Sequence, residues 1–207
     1  MLKKMLHFSF VLGIICSIAI FGVSLVYSTT FESINKKEEE KKQSALAVIL
    51  AGLVVDKSPV VYPYQGKEEY LIYLGRDPKT NEIKGWGLQS GEQGYSSVVQ
   101  TMIGFDDQDK VIAIEIVFQQ ETPGLGAECV STGVKKLSSL WSSEKEAAKR
   151  PWFQSQFSGK EEKQLDLKAK EGIRVISGST ITSNAITNSV KKALKIVQAY
   201  RNEAGKR

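Results

Sequence analysis

One histidine and two cysteines in 207 residues leave few routes to several kinds of chemistry. His7 lies beside an apolar run at the N-terminus, which excludes histidine-based acid–base or metal chemistry in a folded domain. Cys16 sits inside that run and Cys129 far away in a polar region, so no internal disulfide is expected. Two thiols are also too few for a zinc or iron–sulfur centre, and no metal site is expected. The net charge of +5 comes from scattered lysines, with no basic stripe interleaved with aromatics, so nucleic acid is not an expected partner. There is no GKS or GKT of a nucleotide-binding P-loop, no βαβ series and no internal repeat. The length suits one domain plus extras and is too short for two full domains.

What the sequence does have begins with an apolar run. Phe8 to Tyr27, FSFVLGIICSIAIFGVSLVY, is twenty residues without a charge, the length needed to cross a bilayer. A cleaved signal peptide competes, because Val26-Tyr27-Ser28 is a passable cleavage site, but signal h-regions are shorter. A retained anchor over residues 1–28 is the expectation. Ser9, Gly13, Ser17 and Ser24 share one helical face that would admit a second helix closely. Charge does not orient the span: Lys3 and Lys4 flank one end, and Lys36, Lys37, Lys41 and Lys42 the other.

Residues 29–68 read as a helical stalk and linker, with the solvated NKKEEEKKQ running into SALAVILAGLVV, the expected first apolar helix of the domain. From residue 69 the period changes to two. Tyr70–Leu74, Ile83–Gln89, Ser97–Phe105 and Lys110–Gln119 are expected strands, with turns at Asp77-Pro78 to Asn81 and at DDQD. In the last strand Ile112, Ile114, Ile116 and Phe118 predict one buried face. The acidic turn lacks the later glutamate of a calcium loop and reads as a plain turn. Ser131 to Arg150 is helix-compatible, Trp152 and Phe153 offer an anchor, and GIRVI at 172–176 reads as a short strand. Ile186, Val190, Ala193, Val197 and Tyr200 then mark one face of a final helix. The fold class is α+β: a single N-terminal transmembrane helix plus one antiparallel-sheet domain, 69–207, flanked by helices.

Two stretches carry candidate chemistry. In ETPGLG, Glu121 to Gly126, Pro123-Gly124 specifies a turn, and the glycines let bare N–H groups approach a planar ligand. A structural turn with a solvated glutamate is the alternative. In SGSTITSNAIT, Ser177 to Thr187, six hydroxyls surround Gly178 ahead of a helix. They suit either capping, by Thr182 or Ser183, or a phosphate held at a helix N-terminus.

Together these motifs resemble the FMN-binding domain family. SGST-I-T resembles that family's SGAT-x-T, ETPGLG is its other hallmark, and GYSS (Gly94 to Ser97) resembles its GYSG, all in the family's order across about residues 69–200. With one span and this length, the chain is most similar to G subunits of Rnf-type electron-transport complexes. C subunits of Na+-translocating NADH:quinone reductases are also similar but usually longer. The resemblance implies FMN moved from FAD by a flavin transferase and held covalently, as a phosphoester, on Thr180, with Thr182 the neighbouring competitor. It implies Ser177, Gly178 and Ser179 near the phosphate, and Glu121, Thr122, Gly124, Leu125 and Gly126 along the isoalloxazine. Arg174 stands where the family's pattern usually has Asp, and is expected to pair with the phosphate. The implied function is electron transfer within a ferredoxin:NAD-type, ion-translocating oxidoreductase, without a complete active site of its own. Its partners would be the other membrane and peripheral subunits, and its domain would lie on the outer face of the cytoplasmic membrane. A non-redox membrane adapter, or a stand-alone extracellular flavoprotein, is the competing class.

Overall fold

Antiparallel hairpins set the architecture, and local side-chain chemistry makes two of their turns. In the computed structural model, which describes residues 2–66, 68–132, 150–169 and 171–205, β3 (Glu68–Arg76) turns into β4 (Ile83–Gln93), with Asn81 left-handed at φ 58°. The Asp77 carboxylate accepts the Lys79 amide at 2.7 Å, so the turn is an Asx turn. Next, β5 (Val98–Asp106) turns into β6 (Val111–Phe118) through DDQD. There Asp106 accepts the amides of Gln108 and Lys110, both at 2.9 Å, and Asp109 is left-handed. The acidic cluster is therefore turn chemistry. Two further strands, β1 (Val54–Val55) and β2 (Val60–Tyr64), both pair with β3, giving an antiparallel sheet ordered β1-β3-β4-β5-β6 with β2 beside β3. β2 carries Pro63, which the outer edge of a sheet tolerates.

The chain divides into two units, 1–41 and 42–207. The first is the greater part of helix α1 (Leu2–Ile49), which is long and apolar enough to cross a membrane, with a window of mean hydropathy 2.5. Its apolar side chains, from Met5 through Ile34, are exposed. The Ser17 hydroxyl is satisfied within the helix, on the Gly13 carbonyl at 2.8 Å.

In the second unit the last turns of α1 pack on one face of the sheet. Ala45, Leu46, Ile49 and Leu50 meet Met102 and Ala113 there. Glycines make the seat: Gly75 pairs with Gly85 and Gly87 with Gly104 across neighbouring strands. A side chain at Gly85 would come within 2.9 Å of Leu50 Cδ2, and one at Gly104 would overlap the Ile49 carbonyl. Helix α3 (Thr180–Ala204) covers the other face, burying Ile186, Val190, Ala193, Leu194 and Val197 against Ile72, Leu88, Ile103 and Phe105. Full burial of each such aliphatic side chain is worth about 1.5–3 kcal/mol. The short helix α2 (Trp152–Ser155) adds the buried Phe153, with Phe157 and Leu165 beyond it.

Three expectations change. The apolar stretch from Ser44 ends the first helix and packs on the domain as expected, but residues 54–64, expected to be helix end and linker, supply two strands. GIRVI forms no strand. Its backbone is met by side chains instead: Arg174 N–H donates to Gln156 Oε1 at 2.9 Å, and Gln156 Nε2 donates to the Arg174 carbonyl at 3.2 Å. The buried face expected on β6 is broken by register shifts that leave Val117 and Ile112 without partners on β5. Ile114 and Ile116 stay in the α3-side core, Ile112 packs on the α1 side, and Phe118 is exposed. The helix-compatible stretch after Ser131 falls mostly outside the described residues.

Candidate functional site

The two motifs converge although about sixty residues separate them. Glu121 follows the end of β6, is 6% exposed, and points inward. Its Oε1 accepts the amides of Ser96 and Ser97, both at 3.0 Å, and its Oε2 accepts the Tyr95 amide at 3.2 Å and the Thr182 hydroxyl at 2.6 Å. Three successive N–H groups of the GYSS turn thus converge on one carboxylate, an arrangement that suits an anion. Burial pushes the Glu121 carboxyl upward, but these hydrogen bonds outweigh it and hold it below the ordinary glutamate value. Glycine makes room for this: a Cβ at Gly94 would lie 2.7 Å from Glu121 Oε1, and one at Gly126 2.6 Å from Oε2.

After Glu121 the chain turns at Pro123-Gly124, with Gly124 at φ 75° and the amides of Leu125 and Ala127 both on the Thr122 carbonyl. A 3-10 turn, Gly126–Val130, follows and buries Cys129. Its thiol is pushed up to about 12, by burial first and then by the nearby Glu121 charge.

On the other side, Gly178 (φ 73°) turns the chain into α3. Ser179 is the N-cap residue, yet its side chain makes no capping hydrogen bond and its buried Oγ has no partner. The expected caps do other work. Thr182, 1% exposed, is committed to Glu121. Ser183 accepts the Ile176 amide at 3.0 Å and donates to the Ser179 carbonyl at 2.9 Å, tying the incoming segment to the helix. Thr187 donates to the Ser183 carbonyl. Thr180, the first residue of α3, remains exposed.

Between these elements lies a cavity of about 470 Å³, lined by both motifs together with Tyr95 and Ile181, within the size range of ligand pockets. Of the ten site residues named from sequence, Glu121, Thr122, Leu125, Gly126, Gly178, Ser179, Thr180 and Thr182 line it. Ser177 and Gly124 are exposed and do not, and neither does Arg174, whose backbone is engaged with Gln156. Tyr95 and Ile181 were missed. The GYSS motif flagged the first, and the second carried only its place beside Thr180.

A cavity with an uncapped helix N-terminus at one wall, an orphaned buried hydroxyl and an exposed threonine suits a phosphate-bearing planar ligand. Comparison with known proteins agrees. The family model of the FMN-binding domain matches residues 94–195. The G subunit of the Na(+)-translocating ferredoxin:NAD(+) oxidoreductase complex of Acetobacterium woodii is 28% identical over 204 residues, 91% of this chain and 88% of that protein. The G subunit of the ion-translocating oxidoreductase complex of Pseudomonas aeruginosa is 26% identical, over 96% and 91%. Among solved structures, the C subunit of the Na(+)-translocating NADH-quinone reductase from Parabacteroides distasonis shares the fold, with a TM-score of 0.54 at 15% identity, covering 80% of this chain and 92% of that one.

Proposed function

We propose that this chain is the FMN-carrying, electron-transfer G subunit of an Rnf-type, ion-translocating ferredoxin:NAD oxidoreductase, with the FMN joined through its phosphate to Thr180. The observation that carries the reading is Thr180 itself, exposed on the first turn of α3 at the mouth of a cavity built from both motifs. FMN supplies reversible uptake and release of electrons; the chain binds, orients and tunes it. Relatives that are subunits of such complexes, matched across almost the whole chain, support membership of a multi-subunit assembly. With the N-terminal helix they make the protein membrane-anchored.

The residues that fit FMN divide by job. Thr180 Oγ attacks the FMN-side phosphorus of FAD on a flavin transferase. The P–O–P bond breaks, AMP leaves, and the hydroxyl proton is lost. Thr182 cannot compete, because it is buried and its hydroxyl is held by Glu121. Ser179 Oγ and the free first-turn amides of α3 are placed to receive the phosphodiester. Among the described residues, none lining the cavity is Lys or Arg. A phosphodiester carries one negative charge where a free phosphate carries nearly two, so ester formation removes charge that the cavity has no cation to balance. Thr122, Leu125, Tyr95 and Ile181 offer the surface for the ring. The domain sits on the outer face, where the transferase acts, and contributes a redox station rather than a complete active site.

The test is coexpression of the full chain with a flavin transferase, followed by denaturing electrophoresis under ultraviolet light and affinity capture from membranes. A fluorescent band in the wild type, absent in Thr180→Ala, with integral membrane subunits in the capture, is expected. A dark wild type beside a fluorescent control substrate refutes the covalent site. A fluorescent chain captured without partners refutes the complex.

A further inference from the structure

Resting on the FMN reading above, we infer that Glu121 is a positioning residue and a fixed negative charge on the wall of the flavin cavity, which orders that wall and lowers the reduction potential of the flavin it faces. Every hydrogen-bond partner of its two oxygens is a donor: three backbone amides, the Thr182 hydroxyl and, at 3.5 Å, the Ser97 hydroxyl. The three amides can only donate, and an ionised carboxylate accepts from all of them, so they favour the charged form. No ion pair among the described residues includes Glu121. The charge is therefore stabilised by dipoles and not cancelled by a cation. It lies on the cavity wall, and its own burial keeps screening weaker there than in bulk water.

The same bonds join parts of the cavity that the chain otherwise leaves separate. Tyr95 to Ser97 belong to the β4–β5 turn, Glu121 to the loop after β6, and Thr182 to α3. Tyr95 and Thr182 both line the cavity, so the carboxylate ties together two elements of its wall. Gly94 and Gly126 are shaped to admit it, since a side chain at either would reach within 2.7 Å of its oxygens. Uptake of electrons adds negative charge beside a fixed negative charge, so removing that charge makes reduction easier.

Three variants of the full-length protein separate charge from position: Glu121→Gln, Glu121→Asp and, as the same charge change outside the cavity, Glu128→Gln. Redox titration of the loaded proteins, followed by flavin absorbance, is expected to show a positive midpoint shift in Glu121→Gln. Glu121→Asp, which keeps the charge, is expected to stay near wild type, and Glu128→Gln to shift less than Glu121→Gln. Hydrogen exchange is then read on unloaded Thr180→Ala protein. There the Tyr95–Ser97 amides are expected to exchange about tenfold faster or more with Glu121→Gln, the change that loss of one charge-assisted hydrogen bond permits. An unmoved Glu121→Gln midpoint, or one matched by Glu128→Gln, overturns the charge. Unchanged exchange overturns the positioning. A wild type that takes up no flavin refutes the function proposed above, and the exchange arm still decides the role of Glu121 in the wall.

Discussion

Replacing Thr182 with valine keeps the branched shape of the side chain and removes one hydroxyl. That hydroxyl donates at 2.6 Å to a carboxylate, with Thr182 1% and Glu121 6% exposed, so water cannot replace it cheaply. Hydrogen bonds to charged groups contribute about 1.5–3 kcal/mol, and the expected loss is about 2 kcal/mol. For a unit of the size of Lys42–Arg207, each kcal/mol moves the melting temperature by about 2–4 °C, so the fall is about 4–8 °C. Thr187 gives the comparison: equally buried on the same helix, it donates at 2.8 Å to the neutral Ser183 carbonyl. Thr187→Val is expected to cost about 1 kcal/mol. The assay is thermal unfolding of the detergent-solubilised full chain by circular dichroism, with Glu121→Gln and the double variant closing a thermodynamic cycle. A Thr182→Val melt within about 1 °C of wild type, or additive effects in the cycle, would refute the reasoning.

Other outcomes follow from the same contacts. Gly104→Ala forces a methyl against the Ile49 carbonyl and is expected to destabilise the unit by about 1–3 kcal/mol in the same melt; a neutral result would contradict the close seating of α1. Cys129, with its thiol pushed up to about 12, is expected to resist iodoacetamide at pH 8 in the native protein and to react once denatured; prompt native alkylation would contradict its burial. Because folding lowers the Glu121 pKa, its contribution is full above the unfolded value of about 4.3 and is lost as pH falls through the lower folded value. Glu121→Gln is expected to flatten that acid-side loss of stability, and an unchanged acid limb would count against an ionised brace.

The parts of this molecule legible in its sequence are those whose signal is local. The 3.6-residue spacing of Ile186, Val190, Ala193 and Val197 gives α3 and its buried face, and alternation between turn residues gives the hairpins. The two motifs, which line one cavity, stand out because each packs its signal into a few residues. What stayed hidden depends on distant partners. Gly75, Gly85, Gly87 and Gly104 look like weak points in strands until Ile49 and Leu50 come down on them. Thr182 reads as a helix cap because nothing nearby reveals Glu121, 61 positions earlier. GIRVI has strand composition, but among the described residues no strand pairs with it, and the Gln156 side chain meets its backbone instead. The bulges of β6 leave no trace in its alternation, which is why Phe118 was expected inside and lies outside. β1 and β2 are too short, and β2 too interrupted by Pro63, to stand out from a linker.

The central claim is that Thr180 holds the flavin while Thr182 serves the protein. Peptide mass mapping of the full-length chain, matured with a flavin transferase, tests it most directly. The account predicts that the peptide beginning α3 carries the mass of FMN less one water, that fragmentation places it on Thr180, and that Thr182→Val still acquires it there. Flavin located on Thr182, or on no residue of a chain shown to be competent for transfer, would contradict it.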